Sequence, residues 1–534
     1  MTVAVMNHFI SGSTRSFPAV ISGSAVVPTA VFGVSPKTLA ASRCDATSHA
    51  QFKEDCLAGR QTGRPGRSRS PSNLPCVLLL SFFLLLVGGC KVGPNFKTPP
   101  PDVPATWVGV TNKVGVASVT TNPPNLTAWW TNFHDPMLVS LIDEALHTNL
   151  SLALAQSRLR QARASRGIVS GPFWPSATAT GAYSRGATGT SPSSNSYSAG
   201  LDAAWELDIF GGTRRNIESA SANIQSARDN IHDTQVTVCA EIALDYIQLR
   251  GSQEQIDIAD NNLKSEERTA GLTKQRLAAG FVSGLDVANA EAQVATTASA
   301  IPVLETSARQ SIYALSILLA KPPADLLDQL SKEGPVPLTP PDVPVGLPSD
   351  LLKRRPDIRE AEAAWHAANA QIGVAKADFF PQFSLTGSIN YQSDLVRTLF
   401  AGSSRLWSVG PSVSWPLFQG GAIAANVRLQ KELTDAASIT YRQTVLQALD
   451  DVENALVAFA REWDHRQALN EAVVQNRRAV DLSMQLYTQG NTDFLSVLDA
   501  QRSLYTSETA LSQSKASIST DLVALYKALG GGWE

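Results

Sequence analysis

The chain reads as an α+β membrane protein built from an internally duplicated helix–strand–strand–helix–helix block. Three observations in its 534 residues predict this. Long stretches free of proline carry helical periodicity, four short segments alternate apolar and polar residues, and one constant offset relates the two halves.

The front of the chain precedes the fold. Arg64, Arg67 and Arg69 form a basic cluster, and residues 77–87 are apolar apart from Ser81. As a helix that run would reach only ~16 Å, about half of the ~30 Å of bilayer hydrocarbon. A basic start, a short apolar run and small residues before a break describe a secretion signal. Val87-Gly88-Gly89-Cys90 resembles a bacterial lipobox, with Cys90 as the lipid-bearing first residue of the mature protein; the alternative is an ordinary cleavage site with an accidental cysteine. The modification would be covalent N-acyl and S-diacylglycerol lipid on Cys90, and no other cofactor is expected. Lys91, rather than Asp, follows the cysteine, which implies sorting to the outer membrane. Residues 1–89 are thus a presequence, of which 1–63 are too long for a leader and fit a misplaced translation start. With the lipid in place Cys239 has no intrachain partner, and beside Ile242 it reads as a small core residue.

Residues 90–125 follow as an extended arm that cannot be helical, with prolines at 94, 99, 100, 101, 104, 123 and 124. A second proline-rich stretch, 335–348, reads as a linker between two blocks, 126–334 and 349–534. A shift of 210 lays Gly280 on Gly490, Leu285 on Leu495, Val287 on Val497 and Leu319 on Leu529. The same shift brings Gly200 onto Gly410 and Trp205 onto Trp415, while one of 206 brings Trp174-Pro175 onto Phe380-Pro381. One offset kept over so many positions identifies a duplication.

Each block opens with a helix and continues into two strands. In 407–415, Trp407, Val409, Val413 and Trp415 share one face, and Ser408, Gly410, Ser412 and Ser414 the other. Segments 383–391 and 197–207 alternate likewise, and 177–183 more weakly. A soluble sandwich would show the same alternation. Strand lengths near those of tilted membrane strands, with aromatics at the ends, favour a barrel wall.

The closing helices are long. Residues 422–489 contain neither proline nor glycine and would extend on the order of 100 Å as one helix. Tyr441, Val445, Leu449, Val452, Leu456, Phe459 and Trp463 form a narrow coiled-coil seam, matched by Ile242, Tyr246, Leu249, Ile256 and Leu263 in the first block. Four strands are too few to close a barrel, since the smallest outer-membrane barrels use about eight. Open edges in lipid would leave backbone groups unpaired, so copies of the chain must complete one another's sheets.

Several segments resemble TolC-family outer-membrane efflux lipoproteins of the NodT/OprM branch. They are the ten residues from Cys90 (CKVGPNFKTP), those from Trp129 (WWTNFHDPML), from Gly346 (GLPSDLLKRRPDIR) and from Phe494 (FLSVLDAQR), and the ending from Leu525 (LYKALGGGW). The resemblance spans about residues 90–534 and implies a homotrimer in the outer membrane, with a 12-stranded β-barrel above a 12-helix periplasmic α-barrel. It implies a passive exit channel for small molecules, partnered by a periplasmic adaptor (membrane fusion) protein and an inner-membrane resistance–nodulation–division transporter. Carried over residue by residue, the periplasmic gate falls on Leu495 as an apolar ring and Asp499 as an acidic ring, with Tyr487 and Arg502 helping to hold it shut. The adaptor would dock at the helix turns marked by Gly280, Asp286 and Gly490. Without the resemblance Asp499 reads as a solvated helix charge.

Other functions find little support. Forty-four basic and 47 acidic residues give a net charge of −3, with no electrostatic footprint for nucleic acid. Serine-hydrolase elbow, phosphate loop, zinc-protease and Cys-x-x-Cys motifs are absent from the sequence, so no catalytic residue and no metal site is assigned. A type I protein-secretion duct and a structural periplasmic coiled-coil lipoprotein remain as alternatives.

Overall fold

A computed structural model describes residues 91–98, 103–108, 118–120, 126–187, 189, 192–338 and 342–533, all within one compact unit, Asn73–Glu534. The signal segment and Cys90 lie outside the described residues. In order the elements are β1 (Ser118–Thr120), α1 (Pro136–Thr148), α2 (Leu150–Ser170), β2 (Ser176–Gly186), β3 (Ser194–Leu207), α3 (Gly212–Ala278) and α4 (Gly284–Leu318). After them come α5 (Leu327–Leu330), β4 (Asp342–Pro344), α6 (Pro348–Arg354), α7 (Pro356–Ala377), β5 (Gln382–Ser393), β6 (Arg405–Ser414), α8 (Ala422–Thr488) and α9 (Phe494–Ala528). Helices α3 and α8 each have 67 residues, and α4 and α9 each have 35. The 210-residue offset therefore holds in the backbone as well as in side chains.

Strands β2, β3, β5 and β6 form one antiparallel sheet in that order, and β1 pairs in parallel with β4 in a small separate ladder. Register carries the alternation across the large sheet. Leu201 faces Ile389, which faces Trp407, on one side. On the other side Ser384 meets Ser412 at 2.6 Å and Ser388 meets Ser408 at 2.9 Å, so hydroxyls pair across strands. The apolar side is bare: Leu201, Ile389, Trp407, Val409 and Val413 are all exposed. The outer edges of β2 and β6 have no partner among the described residues. At the base of each strand pair a tryptophan closes the corner, Trp205 donating to the Phe173 carbonyl (3.1 Å) and Trp415 to that of Phe379 (3.0 Å).

The main core lies beyond the sheet, where α1, α3, α8 and α9 meet around Trp129, Trp130, Ile242, Tyr246, Leu249, Phe459 and Leu522. One feature departs from the sequence-based expectation. The seam expected along α3 through Ile256 and Leu263 gives way beyond Arg250. There those two side chains are only half-buried, and Ser252, Gln253, Glu266, Thr269 and Thr273 are buried instead. Helix α4 continues through Pro302. Proline inside a helix costs about 3 kcal/mol, and packing of α4 along α3 offsets it.

The arm is anchored rather than trailing. Arg215, almost fully buried, donates from Nε to the Val92 carbonyl (3.0 Å), from Nη2 to the Gly93 carbonyl (3.2 Å) and the Asn95 side chain (2.9 Å), and from Nη1 to Glu218 (3.0 Å). Phe96 stacks on His366 at 4.6 Å. Glu218 also takes Lys91 and His366; although burial opposes it, these partners hold its carboxyl below the usual range. Cys239 is a free, buried thiol pushed up to about 12 by burial.

Candidate functional site: the hairpin tips

Each long helix ends by handing the chain to its shorter partner through the same tight turn. Gly280 (φ 80°) and Gly490 (φ 79°) adopt left-handed backbone that side-chain-bearing residues resist. At the first tip Gly280 N–H donates to the Leu277 carbonyl and Phe281 N–H to that of Arg276 (both 2.9 Å). At the second, Gly490 N–H donates to Tyr487 (3.0 Å) and Asn491 N–H to Leu486 (2.8 Å). Open space surrounds both glycines, so the torsion angle alone demands them.

The following helices start with related caps made from exchanged residues, reciprocal at the first tip and one-way at the second. Ser283 caps α4 and the Asp286 carboxylate reaches back to the Ser283 N–H at 2.9 Å. In α9 Asp493 is the cap, accepting from the Ser496 N–H (3.1 Å) and hydroxyl (2.6 Å). These hydrogen bonds hold the Asp493 carboxyl below its ordinary value. Asp286, expected at an adaptor-docking turn, is thus occupied by its own cap.

Behind the tips the two hairpins are knotted together. Tyr487, Phe494, Val497 and Leu498 pack with Ala270 and Ala290 in an apolar cluster. Tyr487 is buried, its ring 5.8 Å from Phe494, with the Arg276 guanidinium 4.5 Å above it. Arg276 also donates to the Tyr487 carbonyl. The structure therefore brings Tyr487 together with Arg276, a residue no pattern in the sequence singled out.

Leu495 and Asp499 lie one turn apart on α9, both exposed, on the side away from the knot. Among the described residues Asp499 has no ion-pair partner. Arg502 does not hold Asp499. Its Nε donates to Gln293 Oε1 on α4 at 2.7 Å, and Gln293 Nε2 in turn donates to Glu266 Oε1 on α3 at 3.0 Å. Gln501 donates to Thr269 at 3.0 Å beside them. A polar layer thus bolts α9 to the first hairpin just above the apolar knot. The one hint of it in the sequence is the run of polar residues on a face where a seam should continue.

No helix of the described residues is long and apolar enough to cross a membrane, and none of their His, Cys, Asp and Glu groups gathers in threes as a metal site would need. The chain matches the Outer membrane efflux protein family over residues 141–321 and again over 347–531. It is 34% identical over 459 residues to Nodulation protein T of Rhizobium leguminosarum bv. trifolii, covering 85% of this chain and 96% of that protein. It is also 34% identical over 470 residues to the toluene efflux pump outer membrane protein TtgC of Pseudomonas putida, covering 86% and 96%. The solved structure of the outer-membrane channel OprN superposes with a TM-score of 0.77 at 36% identity, over 83% of this chain and all (100%) of that one.

Proposed function

Since the chain belongs to the outer membrane efflux protein family, we propose that three copies of it close one barrel and one tunnel, gated at the hairpin tips. It is an outer-membrane exit component for efflux, in a family of channel proteins rather than enzymes. The observation that carries the trimer is the four-stranded sheet, with a bare apolar face and two open edges. Backbone groups left unpaired in lipid cost several kcal/mol each. The strand order is antiparallel throughout, so β6 of one copy can meet β2 of the next in the same sense. Three such sheets give twelve strands, with the serine-lined face turned to a wet lumen.

In this reading Leu495 and Asp499, exposed and one turn apart, ring the narrow end of the tunnel, and Tyr487 and Arg502 fix α9 behind them. Turns at Gly280 and Gly490 present the docking surface for a periplasmic adaptor, which joins the channel to an inner-membrane resistance–nodulation–division transporter. Cys90 carries the lipid anchor. Cargo is small toxic molecules, as the name of the toluene pump component suggests. The gate is tested by Leu495→Ala with Asp499→Ala in planar bilayers. Single-channel conductance is expected to rise; unchanged conductance would remove these residues from the constriction.

A further inference from the structure

Glu266 is a buried acid with half of its bonding capacity unused. Only 3% of it is exposed, Oε1 accepts from Gln293, and Oε2 has no hydrogen-bond partner. The relay it heads crosses three helices: Glu266 on α3, Gln293 on α4, Arg502 on α9. Gln293 and Thr297, which flank the acid, are themselves buried. The groups facing Glu266 are Arg502 and Tyr505 from α9 and the uncharged Gln293 and Thr297 from α4. Lys274 and Glu291 pair with each other on the exposed side of α3 and α4.

Arg502 has a second place to go. Asp499 stands three residues earlier on the same helix, within reach for a side-chain pair, and has no ion-pair partner among the described residues. While Glu266 is ionised, its charge favours the cross-helix arrangement through Gln293. Once the acid takes a proton, that charge is gone, and Gln293 alone holds an exposed guanidinium that is free to turn along its own helix. We propose that Glu266 is a proton-operated latch: ionised, it holds Arg502 across to α4; protonated, it lets Arg502 turn to Asp499 and frees α9 from the first hairpin.

The polar bolt between the hairpins is then lost, and with it the tie that holds α9 to the first hairpin at this level. Burial already pushes the Glu266 carboxyl above the usual carboxylate range, against the hydrogen bonds from Thr297 and Gln293 and the charge of Arg502. The inference rests on the gate reading above, since the freed helix is the one carrying Leu495 and Asp499.

The test uses the full-length channel in planar bilayers, with conductance followed from about pH 7.5 down to about pH 5. Wild type is expected to open as pH falls. Glu266→Gln, which keeps the shape and removes the charge, is expected to conduct at the acid level throughout, with loss of the pH dependence. A Glu266→Gln channel that stays as closed and as pH-responsive as wild type overturns the latch. If that variant does not accumulate, Gln293→Leu cuts the relay at its middle and carries the same expectation and the same refuting outcome. Leu495→Ala with Asp499→Ala, measured alongside, separates the failures. A conductance rise there with a wild-type-like Glu266→Gln refutes the latch alone, whereas no change in either refutes the gate as well.

Discussion

Helices α3 and α8 are equal in length and correspond position for position, yet they live in different surroundings. Val236 in α3 is 4% exposed and its counterpart Leu446 is 65% exposed. Ile247 is completely buried, and its counterpart Val457 is 52% exposed. Within the chain α3 is covered by α1, α2, α4, α7 and α9, whereas α8 packs on α6, α7 and α9. The duplicated sequence sets length, turn and cap, while neighbours set burial. Apolar residues on α8 that match a buried face of α3 are left uncovered within the chain, and this is the face that the proposed trimer would cover.

The largest effect should come from that contrast. Ile247→Ala empties a site filled within one chain and should cost about 2–5 kcal/mol of protomer stability in denaturant unfolding. Val457→Ala should leave the protomer within about 0.5 kcal/mol, and Val457→Asp should give folded single chains by light scattering in detergent. Equal losses of protomer stability at the two positions would break the comparison.

A smaller effect is electrostatic. Asp245 and Asp521 are each pushed up to about 6, by burial first and then by the charges of Glu241 and Glu462. Their counterparts at the same offset, Ala455 and Ser311, carry no charge. Because the folded chain holds these protons more tightly than the unfolded chain, their contribution is full below about pH 4 and lost as pH rises through about 6. Asp245→Asn and Asp521→Asn should therefore gain on the order of 1 kcal/mol each at neutral pH once solvent screening is allowed for, and nothing near pH 4. Melting curves at the two pH values read this directly.

The smallest effect sharpens the likeness of the tips. Ser283→Ala should cost about 0.5–1 kcal/mol, seen as faster amide exchange in the first turn of α4. Adding the second tip's pattern instead, Ser283→Asp with Asp286→Ser, should restore protection. Continued fast exchange would show that the two caps are not interchangeable.

Much of this architecture was legible because it is periodic or repeated. Trp407, Val409 and Val413 alternate with serines as a half-exposed strand must, and Gly280 and Gly490 recur at the offset that the backbone obeys. Contacts that join distant segments left no such trace. Nothing around Arg215 announces that it grips Val92 and Gly93, more than a hundred positions away. Glu266 and Gln293 look like ordinary surface residues of a rod until α9 covers them. Leu495 and Asp499 were assigned to a gate by resemblance alone, whereas Arg276 and the turn of Arg502 toward Gln293 needed coordinates.

The grip of Arg215 on Lys91–Phe96 bears on how the protein can be labelled. A methyl group on Gly93 would fall 2.5 Å from the Gly373 backbone, so the leading residues fit like a key cut to one depth. At the other end Trp533 is stapled to the Arg354 carbonyl and lies under Arg359. Epitopes or fluorophores spliced beside either lock would disturb the junction between sheet and rods. The connector between β5 and β6 is the gentler place for foreign sequence, and cells displaying a tag there would report which side of the envelope it faces.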